Sequence, residues 1–325
     1  MKKVVIVILV VVSALIILFV AGSIFSHKNK TTNSENPSVT QASELKGVSL
    51  SPKSYQGSDF SNFFSVAAQA GKAISWGGDW HQLADSNSAP STLAKLSGQY
   101  SFTPVIIVDF PNLSDENEFV ATVSNFVKQN NIKYIGIGNE VNFDNNPVDF
   151  ETGMAIFNKT YDAIKSSSPD TVVFTIFQYE KLNGLQGGLF GGTDNPSASQ
   201  WNLLSQASKA DAIGFTTYPG LVYNNPPDLP LDYYSRISQY TNKPIIFTEV
   251  GWFRDGSNLG SEWASSQSEQ ATFINDFFSQ TSSLNSPLKI WAFLYDQQVQ
   301  SPFNTMGLLE SNQTDSPAFE AWKNN

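Results

Sequence analysis

The stretch Tyr134–Asn142, YIGIGNEVN, decides how the rest of the chain is read. Four β-formers and two glycines make it a poor helix and a good buried strand, and it ends abruptly in the polar pair Asn139-Glu140. Lys243–Trp252, KPIIFTEVGW, has the same grammar: an apolar run closing on a glutamate, Glu249. Two buried strands that each deliver a carboxylate at their C-terminal end are what a two-carboxylate glycosidase on a parallel β/α barrel requires.

Runs of the same kind recur along the chain. LKGVSL (Leu45–Leu50), KAISW (Lys72–Trp76) and PVIIVDF (Pro104–Phe110) come before the quoted stretch. TVVFTIF (Thr171–Phe177), DAIGFTTY (Asp211–Tyr218), PIIFTE (Pro244–Glu249) and KIWAFLY (Lys289–Tyr295) come after it or overlap the second motif. Helical patterns alternate with them. Asp59–Ala70 sets Phe60, Phe63, Phe64 and Ala67 on one face, and a short helix is expected near Ser91–Leu96. Another starts at about Glu116, capped by Ser114, and a further one spans about Asp149–Ser166. Helices are also expected near Gln200–Ser208 and Asp232–Tyr240. A capping box at Ser266-x-x-Glu269 opens the next, and the last lies near Pro317–Lys323. The strands are nearly continuous apolar runs, as strands covered on both faces should be. Eight strand–helix units predict a (β/α)8 TIM barrel, with an open doubly wound sheet as the alternative. Glu140 then ends the fourth strand and Glu249 the seventh, both at the end of the barrel where active sites are built.

Ahead of the barrel, Lys2-Lys3 precede an uncharged apolar run, Val4–Phe25, long enough to span the ~30 Å hydrocarbon core at ~1.5 Å per residue. It exceeds the ~7–15 apolar residues of a cleaved signal peptide, so an N-terminal transmembrane signal anchor is expected over residues 1–26. Residues 27–43, rich in Asn, Ser, Thr and Lys, read as a flexible linker, and 44–325 as the catalytic domain, held outside the cytoplasm.

Composition narrows the chemistry. Residues 31–325 carry 15 basic and 29 acidic side chains, which argues against nucleic acid and is compatible with a neutral polysaccharide. There is no cysteine, which removes disulfides, thiolate metal sites and Cys nucleophiles. His27 and His81 are the only histidines, so neither a His-rich metal site nor a His-dependent triad has material. No metal or organic cofactor is expected, and the chain is expected to act as a monomer on a β-linked glycan.

Glycoside cleavage needs one carboxylic acid to protonate the leaving oxygen and one carboxylate to attack the anomeric carbon or activate water. G-N-E at Gly138–Glu140 and I-x-T-E-x-G-W at Ile246–Trp252 resemble the motifs of clan A retaining (β/α)8 glycoside hydrolases, and GNEVN is similar to the endo-β-1,4-galactanase family and its neighbours. The resemblance covers Leu45 to the C-terminus and implies roles. Glu140 would be the acid/base, Glu249 the nucleophile and Asn139 the ligand of the sugar 2-hydroxyl. Tyr218 would hydrogen-bond the nucleophile, and Trp291 would form the platform under the sugar. Trp76, Trp80, Trp252 and Tyr295, near strand ends, are further candidate subsite walls, and Asp109, Asp296 and His81 are polar candidates. The chain also departs from the family. Thr216 stands where many relatives carry a histidine two residues before the tyrosine, and the only arginines, Arg236 and Arg254, come after the sixth strand. The network around Glu249 must therefore be built differently. Retaining chemistry would hold the two carboxyl groups about 5–5.5 Å apart. The competing functions are transglycosylation by the same pair, a surface carbohydrate-binding barrel without catalysis, and an adhesive envelope protein.

Overall fold

A computed structural model describes residues 44–144 and 146–325. The apolar run Val4–Phe25 and the spacer 27–43 lie outside the described residues; among the described ones, no helix is long and apolar enough to cross a membrane.

The strands β1 (Leu45–Ser49), β2 (Ala73–Gly78), β3 (Thr103–Val108), β4 (Tyr134–Ile137), β5 (Val172–Gln178), β6 (Ala212–Thr217), β7 (Ile245–Val250) and β8 (Leu288–Trp291) pair in parallel in chain order. β8 returns to pair with β1, from Leu45 opposite Leu288 to Val48 opposite Trp291. This is the closed (β/α)8 barrel read from the sequence, and the β1–β8 pairing rules out the open sheet.

Alternate strand residues face in. Val105, Ile107, Phe174, Ile176, Ile246 and Ile290 belong to the cluster along the axis. Their chain neighbours Ile106, Val173, Phe177, Phe247 and Trp291 join the larger core between strands and helices. The axis is filled unevenly. Phe174 and Ile176 on β5 lean across toward Gly136 on β4 and Gly214 on β6, where an added Cβ would come within 2.6 and 2.7 Å of the isoleucine. Glycine in these two strands is therefore the space that large β5 residues occupy.

The outer layer contains α1 (Gly57–Ala70), α2 (Ala89–Tyr100), α3 (Glu116–Asn130), α4 (Phe150–Ser167), a single turn α5 (Tyr179–Leu182), α6 (Gln267–Thr281) and α7 (Pro317–Asn324). Ser88, Asp149, Ser266 and Ser316 each cap a helix by accepting a backbone N–H. The weak helix near Ser91–Leu96 is thus a full twelve-residue helix with a capped start. Two capping expectations change. Ser114 sits in a 3₁₀ turn and hydrogen-bonds Asp115, leaving α3 without a side-chain cap. Of the Ser266/Glu269 box the serine half is made, while Glu269 Oε2 finds no partner.

The helices expected near Gln200–Ser208 and Asp232–Tyr240 are 3₁₀ segments instead, Trp201–Gln206 and Ser235–Gln239. The stretch Gln200–Ser208 has Trp201, Asn202, Ser205 and Ser208, and Asp232–Tyr240 has three tyrosines and two serines, residues that favour local side-chain bonds or lose rotamer freedom in a helix. Packing, not helical pattern, holds them: Trp201 and Tyr240 stack at 4.1 Å with planes 6° apart. The run Lys289–Tyr295 also divides. β8 stops at Trp291, and Phe293–Tyr295 (β9) pairs with Gly307–Leu309 (β10) as a small parallel sheet above the barrel.

Trp322 of α7 closes the wall. Its ring is fully buried against Trp291 and Phe278, and its indole N–H donates to Ala70 O of α1 at 2.9 Å. Trp322→Ala is expected to cost about 3–5 kcal/mol, read as a lowered midpoint in urea unfolding of the barrel; a change below about 1 kcal/mol would mean α7 is peripheral.

Candidate active site

Glu140 and Glu249 reach the same end of the barrel, each through a break in its strand. Ile176 of β5 donates its N–H to Gly138 O (3.2 Å) and accepts from the Val141 N–H (2.9 Å). A regular parallel ladder brackets one residue in this way; here Asn139 and Glu140 are both bracketed, so the strand carries a bulge. The bulge needs left-handed backbone at Gly138 (φ 77°) and at Glu140 itself (φ 47°). For a glutamate, that conformation costs roughly 1–2 kcal/mol. At Gly138 a Cβ would lie 2.5 Å from Phe110 Cζ and from Val141 Cγ1.

β7 does the same by other means. Phe215 pairs with Phe247 but Thr216 pairs with Glu249, so Thr248 is an extra residue, and β8 registers the same one-residue shift. Phe247 packs outward under the helices, and without the bulge Glu249, two residues on, would follow it. The extra residue turns the carboxylate inward.

β6 then ties the two together. Thr216, the register partner of Glu249, donates its hydroxyl to Glu140 Oε1 at 2.6 Å. Two residues on, the Tyr218 phenol donates to Glu249 Oε2. The two carboxylates differ in surroundings. Glu140 is buried, and loss of water raises its pKa to about 8, opposed by the Thr216 bond and reinforced by the charges of Glu249, Glu180 and Asp109. Glu249 remains partly reached by solvent; desolvation raises its pKa, and the Tyr218 hydrogen bond opposes it. Tyr218 is held well above the ordinary phenol value, first by burial and then by the Glu249 charge, so it stays a donor.

Two further polar groups face this floor without protein partners. The Asn139 Oδ1 is buried and unbonded. Asp109, after the end of β3, is partly exposed and has its pKa raised to about 6, by desolvation and then by neighbouring Asp79. The second asparagine of the motif has a different task. Asn142 accepts from Gln178 N–H (2.8 Å) and donates to Gln178 O (3.1 Å), a side chain standing in for one rung of the sheet.

The tryptophans expected to wall the cleft do not. Trp76, Trp252 and Trp291 are 2, 0 and 0% exposed and belong to the outer core. Trp291 packs on Phe273 and Trp322 and donates to Met306 O; Trp252 donates to Ser265 Oγ. Strand parity is the reason: Trp291 follows inward Ile290, and Trp76 alternates with Ser75 and stands on the same face as Ile74. Trp80 and Tyr295 are buried as well. His81 is exposed, pairing with Asp79 at 2.6 Å and stacking on Trp80. Asp296 is a structural partner of Arg254, and Arg236 pairs with Asp232, so neither arginine is bonded to a floor glutamate. The aromatic surface beside the pair comes instead from Phe303, edge-on to Tyr218 at 5.2 Å, and from Phe293, both partly exposed. Sequence reading also missed Glu180, a fully buried carboxylate behind β6. Its only signal was an acid directly after the fifth strand. Among the described residues, no group of three His, Cys, Asp or Glu side chains is arranged to hold a metal ion.

No protein-family model and no curated protein sequence matches the chain. Solved structures do. An exo-β-1,4-mannosidase from Opitutaceae bacterium strain TAV5 superposes with a TM-score of 0.63 at 11% identity, over 86% of this chain and 58% of that one. Fungal β-1,4-galactanases superpose at 0.58 and 15% identity, over 86 and 98%. A family 17 β-1,3-glucanosyltransferase from Rhizomucor miehei does so at 0.57 and 14%, over 85 and 95%. At these identities the likeness is one of fold, the (β/α)8 barrel, and a β-1,4-galactanase is among the structures that share it.

Proposed function

We propose that this chain is a glycosidase that cleaves a β-linked glycan by double displacement, with Glu249 as nucleophile and Glu140 as acid/base. The observation that carries the reading is the pair of β6 hydrogen bonds. Thr216 at the end of β6 and Tyr218 just past it hold two carboxylates in different surroundings: burial raises the Glu140 pKa to about 8, while for Glu249, also raised by burial, the phenol favours the charged form. Environments that push two acids apart in this way divide the acid and nucleophile roles.

In the first step a Glu249 oxygen attacks the anomeric carbon, and the Glu140 proton passes to the departing glycosidic oxygen. In the second step Glu140, now ionised, takes a proton from water as that water displaces Glu249 from the sugar. The Asn139 Oδ1 has no protein partner and, once its partly exposed side chain turns it outward, would accept from a sugar hydroxyl, and the Phe303 face would stack against an apolar sugar face. The apolar run Val4–Phe25 supports placing the enzyme on the outer side of a membrane, on a tether of residues 1–43.

The test is turnover of β-1,3-glucan and of β-1,4-linked galactan, mannan and xylan by the soluble barrel. Wild type is expected to cleave at least one. Glu140→Gln should lose about 10²–10⁴-fold and Glu249→Gln about 10⁴-fold or more. Azide should rescue glycine variants at both positions, giving opposite product anomers by NMR. Activity surviving both glutamine changes would sink the assignment. Added acceptor glycan that diverts product to longer chains would make the enzyme a transglycosylase using the same pair.

The pH profile is a second check. kcat/KM should fall above about pH 8 as Glu140 loses its proton. The same shift makes a stability statement. Unfolded Glu140 ionises near 4.5 and folded Glu140 near 8, so between those values the native state holds the extra proton and stability falls as pH rises. Glu140→Gln should therefore melt about 2–5 °C above wild type at pH 8 and no higher at pH 4. An equal melting temperature at pH 8 would show that Glu140 is ionised at little cost.

A further inference from the structure

Glu180 is the acid that the two-step chemistry leaves unused. It lies in the α5 turn directly after β5, with no exposed surface. Four donors surround its two oxygens, none of them from a lysine or arginine. Oε1 accepts from the Thr217 hydroxyl (2.7 Å) and the Tyr233 phenol (2.9 Å); Oε2 accepts from Gln178 Nε2 (2.5 Å) and the Tyr218 backbone N–H (3.1 Å). Because Thr217 spends its proton on Glu180, the 3.0 Å contact between Thr217 and Tyr234 has the Tyr234 phenol as donor. A second layer of hydrogen bonds therefore feeds the first. Burial pushes the Glu180 pKa up, and the bonds from Thr217, the Tyr218 N–H and Tyr233 oppose it. The amide nitrogen and the backbone N–H have no lone pair for a carboxylic proton, so Oε2 is satisfied as an acceptor, the arrangement that suits the ionised form.

What that cage holds is consecutive in sequence. Glu180 grips the side chain of Thr217 and the backbone of Tyr218, Thr216 just before them holds Glu140, and the Tyr218 phenol holds Glu249. The titratable groups packed around Glu180 are the phenols of Tyr179 on its own turn, Tyr218 after β6, and Tyr233 and Tyr234 ahead of the Ser235–Gln239 segment. Those facing Glu140 are Glu249, Asp109 and Glu180, all acids.

We infer that Glu180 is a positioning residue of this site: a carboxylate that four hydrogen bonds hold ionised against the pull of burial, which fixes Thr217 and Tyr218 from behind β6 and whose charge adds to the acids facing Glu140. A charge is used here where a neutral core residue would fill the space, and a buried charge without a counter-ion is expensive unless fully hydrogen-bonded. The kinetic consequence rests on Glu140 being the acid; the charge coupling does not, and can be read in a protein that turns nothing over.

The experiment is carboxyl ¹³C NMR of the barrel labelled at glutamate Cδ. Glu140 and Glu180 are assigned by the signals lost in Glu140→Gln and in Glu180→Gln. In wild type the Glu180 signal should stay at its ionised position from about pH 5 to 9 while the Glu140 signal titrates. In Glu180→Gln the Glu140 midpoint should fall by about one pH unit. Glu180→Asp, which keeps the charge, should hold it within a few tenths of a unit. With a glycan that wild type cleaves, the alkaline limb of kcat/KM should move with the midpoint. A Glu180 that carries its proton at neutral pH in wild type would overturn the inference without any variant having to fold. A Glu140 midpoint that ignores Glu180→Gln, with stability alone reduced, would reduce Glu180 to a core-filling residue. A midpoint that moves as expected in a barrel whose Glu140→Gln variant keeps full activity would leave the coupling standing and remove the acid assignment instead.

Discussion

Three consecutive residues at the C-terminal end of β6, Thr216 and Thr217 within it and Tyr218 just beyond, carry the connections on which the site depends. Glu140 arrives from two strands away and Glu249 from the next strand, and neither is bonded to a cation. What brings their carboxyl groups to a common floor is a hydroxyl at the end of β6 and a phenol just past it, two positions on, at the rim of a strand that the barrel itself holds rigid. The barrel's closure matters for this reason more than for stability alone. With eight strands in fixed register, a one-residue bulge in β4 and another in β7 aim two side chains to a precision that a loop would not give.

The electrostatics follow from what is missing. Glu140, Glu249, Asp109 and Glu180 are all acids influencing one another, and the chain's two arginines are engaged elsewhere, with Asp232 and Asp296. Without a nearby positive charge, a cluster of this kind lowers its energy by keeping protons or by collecting hydrogen-bond donors. Both solutions are present. Glu140 is buried with one donor and leans toward the protonated state, Glu249 has the Tyr218 phenol, and Glu180 has four donors. The bonds to the two carboxylates thus come from Thr216 and Tyr218, with Glu180 bonded to the backbone between them and no histidine or arginine among the partners.

Much of this was legible in the sequence because buried parallel strands are continuous apolar runs, and an acid at the end of such a run has few structural reasons to be there. That logic located β4 and β7, the closed barrel, and Glu140 and Glu249 at one end of it; Asn139 and Tyr218 came from the family resemblance, and of the two Tyr218 is bonded to Glu249. It failed where the answer depended on parity. One residue decides whether a strand side chain faces the axis or the helices, and the bulges that settle it at Glu140 and Glu249 leave no mark in composition. Trp76 was expected in the cleft on proximity to a strand end and Trp291 on the family resemblance, and both are in the outer core on parity. The 3₁₀ segments after β5 and β6 were mistaken for helices because their apolar residues, Trp201, Leu204 and Ile237, are buried at near-helical spacing. Glu180 escaped because its importance lies in four partners brought in by the fold.

The distribution of strain distinguishes a site from a scaffold. A barrel that served only to display a surface would gain from replacing Glu140, which is buried, in left-handed backbone and costly to ionise. It would gain again from satisfying the buried Asn139 oxygen beside it. Unfavourable backbone, a desolvated acid and an orphaned amide fall on two adjacent residues, while the strand positions before them are packed with apolar side chains in ordinary conformations. Left-handed backbone recurs at Ser101 and Asn131, both just past helix ends, and other buried polar atoms such as Thr175 Oγ1 also lack partners. At Asn139 and Glu140 the costs coincide, the pattern expected where stability has been given up for chemistry.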